Sequence, residues 1–201
     1  MNVVAIVTVV HRATDGELAL TPVHGEALLT HTVRGLLDVP EISTVLVAAP
    51  QRCASSFSEA VGHLGCRVVP GSPREALAAI ESELARDSVV LLHDALRAFI
   101  PAQTVRDVIA AVGDHPVVVP VLPMADTVKL TSASLITGTE DRNRLRTAQT
   151  PIGYRLSAFR PWDVTGAATV PGHPDAMRVT TDFELSLAEA IAAAPKNEET
   201  L

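Results

Sequence analysis

Residues 88–97 read S-V-V-L-L-H-D-A-L-R, from Ser88 to Arg97. Val89 to Leu92 run apolar without alternation, the pattern of a strand buried on both faces of a parallel sheet. The run ends in His93, Asp94 and Arg97, three groups able to carry charge or hydrogen bonds. Open α/β sheets bind ligands outside the carboxyl ends of their strands, which makes Asp94 a candidate site residue. The plainer alternative is an Asp that caps the turn after the strand.

Toward the N-terminus the same grammar repeats. Val3–Val10 reads as a buried strand, followed by a polar loop over 11–21. Apolar residues at helical spacing then predict a helix over 26–37, stopped near Pro40. A strand follows over 43–49, a helix over 52–63 ending at Gly65, and a short strand over 66–69. Pro73 opens a helix predicted over 74–86, because proline is tolerated in a first helical turn.

Toward the C-terminus, a helix over 102–112 and a strand over 117–121 continue the alternation. The sum is an α/β chain with a doubly wound, mostly parallel sheet. Residues 127–139, rich in Thr and Ser, suit an extended excursion or hairpin. Beyond it the pattern predicts extended structure over 154–159, an irregular stretch over 161–175 and a brief strand over 177–179. A closing helix over 182–194 should turn Phe183, Leu185, Leu187, Ala188 and Ile191 inward. With no internal repeat or linker in view, the expectation is one domain over 1–201, with an arm at about 127–141.

The 201 residues are 47% hydrophobic and 19% charged, with only 3% aromatic, so Val, Leu, Ile and Ala must build the core. A formal net charge of −7 without a basic cluster argues against nucleic acid and anionic membranes as partners. Cys53 and Cys66 form no C-x-x-C pair, and the first residues lack a basic leader and are too short an apolar run to span a bilayer. The expectation is a reduced, cytoplasmic protein.

Several polar groups fall at or after predicted strand ends: Asp94 with Arg97, Asp126 with Thr127 and Lys129, Arg142 with Thr150, and Arg178. Converging on one crevice, these residues suit a phosphate-bearing ligand, with a divalent cation at the carboxylate. Singly each is weak, and Arg142 on its own reads as a solvated surface charge.

Four ordered motifs carry a resemblance. H-D-A-L-R at 93–97 resembles the H-D-A-A-R of the 2-C-methyl-D-erythritol 4-phosphate cytidylyltransferases. V-P-V-L-P-M-A-D-T-V-K at 119–129 is similar to that family's P-V-x-D-T-[IM]-K region. D-R-N-R-L-R-T-A-Q-T-P at 141–151 resembles its D-R-x-x-L-x-x-x-Q-T-P segment, and M-R-V-T-T-D-F-E-L-S-L-A-E-A at 177–190 its closing motif. The resemblance implies a nucleotidyltransferase fold, a Rossmann-like α/β/α sandwich, and a homodimer held by a β-arm. It implies a reaction in which a sugar-alcohol phosphate oxygen attacks the α-phosphate of CTP and pyrophosphate leaves, in an isoprenoid precursor pathway, with Mg²⁺ offsetting charge. Carried over by position, Asp94 would lie near nucleotide and metal, with Gly71, Arg74 and Arg97 on the nucleotide side. Thr127, Arg142 and Thr150 would hold the sugar-alcohol phosphate, and Arg178 would replace the family's closing Lys.

The chain departs from that pattern in the half expected to hold CTP. The family's first loop, P-A-A-G-x-G-x-R followed by P-K, supplies small residues and cations for the triphosphate. Here Thr8, Val9, Val10 and His11 stand in its place, Pro22 is followed by Val23, and Asp15 and Glu17 add negative charge. Arg12 is the one nearby cation, and it is out of register; His11, Arg12 and His24 read as solvated loop residues. The family's G-G-x-x-R-x-x-S is reduced to Gly71 and Arg74, and its T-D-[DE]-A-S segment has no counterpart. Loss of transition-state cations typically costs about 10³-fold in rate. Three readings follow: a catalytically impaired homologue, a transferase with altered nucleotide or substrate, or a non-catalytic partner that pairs through the arm.

Overall fold

The computed structural model describes residues 2–9 and 14–194. Val3–Thr8 (β1), Thr44–Ala49 (β4), Arg67–Pro70 (β5), Val89–Asp94 (β6) and Val117–Pro123 (β7) are the strands expected from the apolar runs. Between β1 and β4 lie a four-residue helix α1 (Asp15–Leu18), a small antiparallel ribbon of β2 (Pro22–Val23) and β3 (Glu26–Ala27), and helix α2 (Leu28–Leu37). The other helices are α3 (Ala54–Val61), α4 (Pro73–Ala78), α5 (Ala102–Val112) and α6 (Asp182–Ala193).

The first strand ends two residues short of the predicted 3–10; Val10, His11 and Arg12 lie outside the described residues. Helix α4 stops at Ala78 and not near 86, because a 3₁₀ turn at Glu81–Glu83 follows it.

The second half departs further from the alternation. Residues 129–139 form the hairpin of β8 (Lys129–Ser132) and β9 (Leu135–Thr139), a two-stranded sheet of its own. The chain re-enters the main sheet as β10 (Arg146–Ala148) and β11 (Ile152–Arg155), both antiparallel to β7, with β11 also antiparallel to β6. Residues 156–158 are a 3₁₀ turn and not a continuing strand. The stretch over 161–175 contains a strand, β12 (Ala168–Pro171), which pairs parallel with the outer edge of β7. Residues 177–179 are a loop; the expected strand there is absent because the segment pins itself to side chains and to Leu96 instead of to a neighbouring strand.

The sheet order is β10-β7-β11-β6-β1-β4-β5, with β12 on β7. The chain winds from β1 outward through β4 to β5, then crosses back to place β6 on the other side of β1. That reversal puts a topological switch point between β1 and β6, where α/β sheets open a ligand crevice. Register sets Thr8 of β1 beside Asp94 of β6 at that edge.

Alternate residues of the central strands feed two cores. Val3, Ala5, Val7, Val89 and Leu91 face α2, α3 and α5, whereas Val4, Ile6, Val90 and Leu92 face the layer that includes α4 and Tyr154. Both faces of β1 and β6 are buried, which is why neither strand alternates in sequence. On α6 Ala188 is buried and half-buried Leu185 and Ala192 pack on the core, while Ile191, expected inward, is half-buried outside it; Phe183 and Leu187 point outward, 72% and 39% exposed. The helix is apolar nearly all round, so its period alone does not choose the buried stripe. No helix among the described residues is long and apolar enough to cross a membrane.

Candidate functional site

The loops after β1 and β6 meet on Arg178. Its Nε donates to Asp94 Oδ2 and its Nη2 to Asp15 Oδ2, each at 2.6 Å. These two N–H groups form the side-on edge of the guanidinium, the fork that elsewhere grips one carboxylate or phosphate bidentately. Here two acidic residues share it. The Asp15 side chain is fully buried, that of Asp94 3% exposed and that of Arg178 17% exposed. Burial alone would lower the guanidinium pKa, but Asp94 and Asp15 outweigh it and push it up, so Arg178 is a fixed cation.

Local structure explains each placement. Gly16 seats α1 against Cys53, whose Sγ would lie 2.7 Å from a Cβ at that position, so only glycine permits this approach beside Asp15. The Ala19 carbonyl accepts from Leu29 N, tying α1 to α2. Asp94 Oδ1 accepts from Leu96 N at 3.0 Å, so the turn-capping role considered from sequence is real and coexists with the ion pair. On the third side, Val179 N donates to Leu96 O, while Glu184 Oε2 accepts from Thr180 N, Thr180 Oγ1 and Thr181 N at 2.7, 2.8 and 2.9 Å. These bonds outweigh the desolvation of Glu184 and lower its pKa. They also close the capping box of α6 and hold the Arg178 loop from both ends.

Behind Asp94 runs a buried polar chain. Asp94 N donates to Thr150 Oγ1 (3.1 Å), Thr150 Oγ1 lies 3.1 Å from His93 Nδ1, and His93 Nε2 lies 2.9 Å from Arg97 O. A carbonyl can only accept, so Nε2 carries the proton and Nδ1 accepts from the Thr150 hydroxyl. Complete burial pulls the His93 pKa down to about 4 and keeps the ring neutral. Arg97 turns to backbone: Nη1 donates to Ala176 O at 2.6 Å and Nη2 to Ala148 O at 3.4 Å. Burial lowers its pKa, only partly offset by Asp94 and reinforced by Arg178.

The remaining candidates spread along the sheet edge. Gly71 follows β5 at φ +127°, and Arg74 is exposed on α4, whose first amides are taken by the Ser72–Glu75 capping box. Thr127 and Arg142 are exposed at the base of the hairpin, where Arg142 Nη1 donates to Ala125 O at 2.8 Å. Thus the fold joins Asp94, Thr150, Arg97 and Arg178 in one cluster, leaves Thr127 and Arg142 at the arm, and sets Gly71 and Arg74 two strands beyond β1. His24 stands at φ +51°, its N–H bonded to Glu189 Oε2.

In the sequence Asp15 reads as loop charge near the ligand; in the fold it is buried against Arg178. Gln149, to which no pattern in the sequence gives a role, is 3% exposed and donates from Nε2 to His173 O and Ala176 O while accepting from His173 N.

A Mg²⁺ ion needs carboxylate oxygens free to coordinate it, together with ligand phosphates. Asp94 accepts one hydrogen bond on each oxygen, from Leu96 N and Arg178 Nε, and the described residues hold no cluster of three or more metal-ligating side chains. A Mg²⁺ at Asp94 would therefore draw most of its ligands from substrate phosphates and water. A cavity of about 700 Å³ lies elsewhere, lined by His31, Phe99, Ile100, Arg106 and Ile191 on the helical face, away from the crevice charges.

Comparison with known proteins gives one answer. The family model for 2-C-methyl-D-erythritol 4-phosphate cytidylyltransferase matches residues 11–165. A cytidylyltransferase of that name from Saccharopolyspora erythraea is 43% identical over 202 residues, covering 87% of this chain and 90% of its own length. One from Streptomyces coelicolor is 35% identical, covering 87% of this chain and 77% of its own length. Among solved structures, the cytidylyltransferase of Thermus thermophilus superposes with a TM-score of 0.75 at 25% identity, covering 96% of this chain and all of that one. The 4-diphosphocytidyl-2C-methyl-D-erythritol synthase of Anaerococcus prevotii shares the fold at a TM-score of 0.76 and 19% identity, covering 95% and 96%. With a family model over most of its length and a relative above 40% identity, this chain belongs to the 2-C-methyl-D-erythritol 4-phosphate cytidylyltransferase family.

Proposed function

We propose that this chain retains the crevice of a cytidylyltransferase, with CTP and a phosphorylated sugar alcohol as its ligand classes, and has lost most of the rate of cytidylyl transfer. One observation carries the reading: the side-on edge of Arg178 is divided between two buried carboxylates. Nucleotidyl transfer depends on cations aimed at phosphate oxygens. Here Arg178 is already neutralised, and the sequence over 8–25 adds no Lys.

The sugar-phosphate end is better supported. Thr127 and Arg142 stand exposed at the base of the hairpin, and the guanidinium of Arg142 uses Nη1 on Ala125 O. Thr150 supports the site from behind, because its hydroxyl already serves Asp94 N and His93. The hairpin supports pairing with a second copy, since Leu130, Leu135 and Ile136 are 49%, 72% and 68% exposed on it.

The test is pyrophosphate release from CTP with methylerythritol phosphate and Mg²⁺. Turnover below about 10⁻² per second is expected, roughly 10³-fold under an ordinary enzyme. Turnover on the order of 1 per second or faster overturns the reading.

A further inference from the structure

Asp15 has a chemical position of its own. It sits after β1, on the side of the switch point where phosphate would approach, and its Oδ2 accepts a hydrogen bond from Arg178 Nη2 at 2.6 Å. With Asp94 on Nε and Asp15 on Nη2, carboxylates hold both donors of the side-on edge, on the side meant for an anion.

We propose that Asp15 is a specificity-determining residue of the crevice, a built-in carboxylate that takes the place of a ligand phosphate on Arg178. A phosphate-bearing ligand must displace it from Nη2 to gain that donor; a ligand without phosphate need not. The crevice therefore discriminates against phosphate groups at this position while leaving uncharged parts of a nucleoside unaffected. Asp15 is held there by the Gly16–Cys53 contact and by the tie from Ala19 O to Leu29 N. The competition is thus built into the packing of α1 and is not a feature of a free surface side chain. This rests on the reading above that Arg178 is the phosphate-facing cation.

Calorimetric titration of the whole chain with inorganic pyrophosphate, and separately with cytidine, tests the proposal. Asp15→Asn keeps the shape and removes the competing charge. Arg178 retains Asp94 in that variant; Asp15→Ser serves the same titration if the amide is not accommodated. Pyrophosphate should bind the variant about tenfold or more tighter than the parent chain, the scale of one charge-assisted hydrogen bond. Cytidine affinity should not change. Adding Arg178→Met to Asp15→Asn should abolish the gain. Equal pyrophosphate affinity in parent and variant, or an equal gain for cytidine, overturns the proposal. The two readings separate cleanly: fast pyrophosphate release by the parent chain removes the claim of lost transfer, and only the titration removes the claim about Asp15.

Discussion

The hydroxyl of Thr150 and Nδ1 of His93 meet 3.1 Å apart across 57 residues of chain, inside the sheet edge that carries Asp94. The contact fixes a neutral ring, with its other nitrogen donating to Arg97 O. Burial lowers the His93 pKa from 6.5 to about 4 in the folded protein. The unfolded chain therefore binds the proton first as pH falls, and protonation favours unfolding. Stability should be full above about pH 6.5 and decline toward pH 4, by up to roughly 3 kcal/mol across the window. Urea unfolding at several pH values measures this. In His93→Gln the slope between about pH 6.5 and 4.5, above the ordinary carboxylate range, should flatten; an unchanged slope there sinks the assignment.

Thr150→Val keeps the shape and removes the hydroxyl. Asp94 N–H and His93 Nδ1 both lose a buried partner. Each orphaned polar group costs about 1–3 kcal/mol, so a loss of roughly 2–4 kcal/mol in denaturant stability is expected. Thr150→Ser, which restores the hydroxyl, should recover most of it. Equal losses in the two variants would place the cost in packing and not in the bonds.

How much of the molecule is legible in the chain differs by half. The first 123 residues largely follow the alternation because the central strands β1 and β6 are continuous apolar runs buried on both faces. After residue 139, β10, β11 and β12 are three or four residues long and insert beside older strands, so their pairing depends on distant partners. The same is true of the site. Asp94 is visible as a strand-end carboxylate, and Arg178 as a cation near the chain's end. Their contact spans 84 residues, and Asp15 joins them from another 79 upstream of Asp94. Nothing in the spacing of D-G-E-L at 15–18 distinguishes a buried Asp from a solvated one. Only packing of Gly16 on Cys53 does so.

The hairpin makes its own prediction. Leu135 and Ile136 are adjacent near the tip of the arm and more than two-thirds exposed. If a second copy covers them, Leu135→Lys with Ile136→Lys should shift the chain toward monomer in analytical ultracentrifugation. Thermal stability of the monomer should change little, because neither side chain belongs to either core. A parent chain that sediments as a monomer at micromolar concentration ends the proposal of an arm-mediated pair.

Arg178→Met tests the ion cluster itself. Methionine fills much of the space but leaves Asp15 and Asp94 buried without their shared cation. Breaking a buried pair from one side costs about 3–5 kcal/mol, far more than an exposed salt bridge would. The pH dependence identifies the cause. Without the guanidinium, like charge and burial raise the folded-state pKa of one carboxylate above its unfolded value. The folded variant then binds a proton more readily than the unfolded chain, so its deficit against the parent should narrow as pH falls toward about 5. Arg178→Lys should lose less, because one ammonium still balances charge although it cannot span both oxygens as the planar fork does. A loss in Arg178→Met under about 1 kcal/mol, or a deficit that widens on acidification, contradicts a buried cluster held by electrostatics.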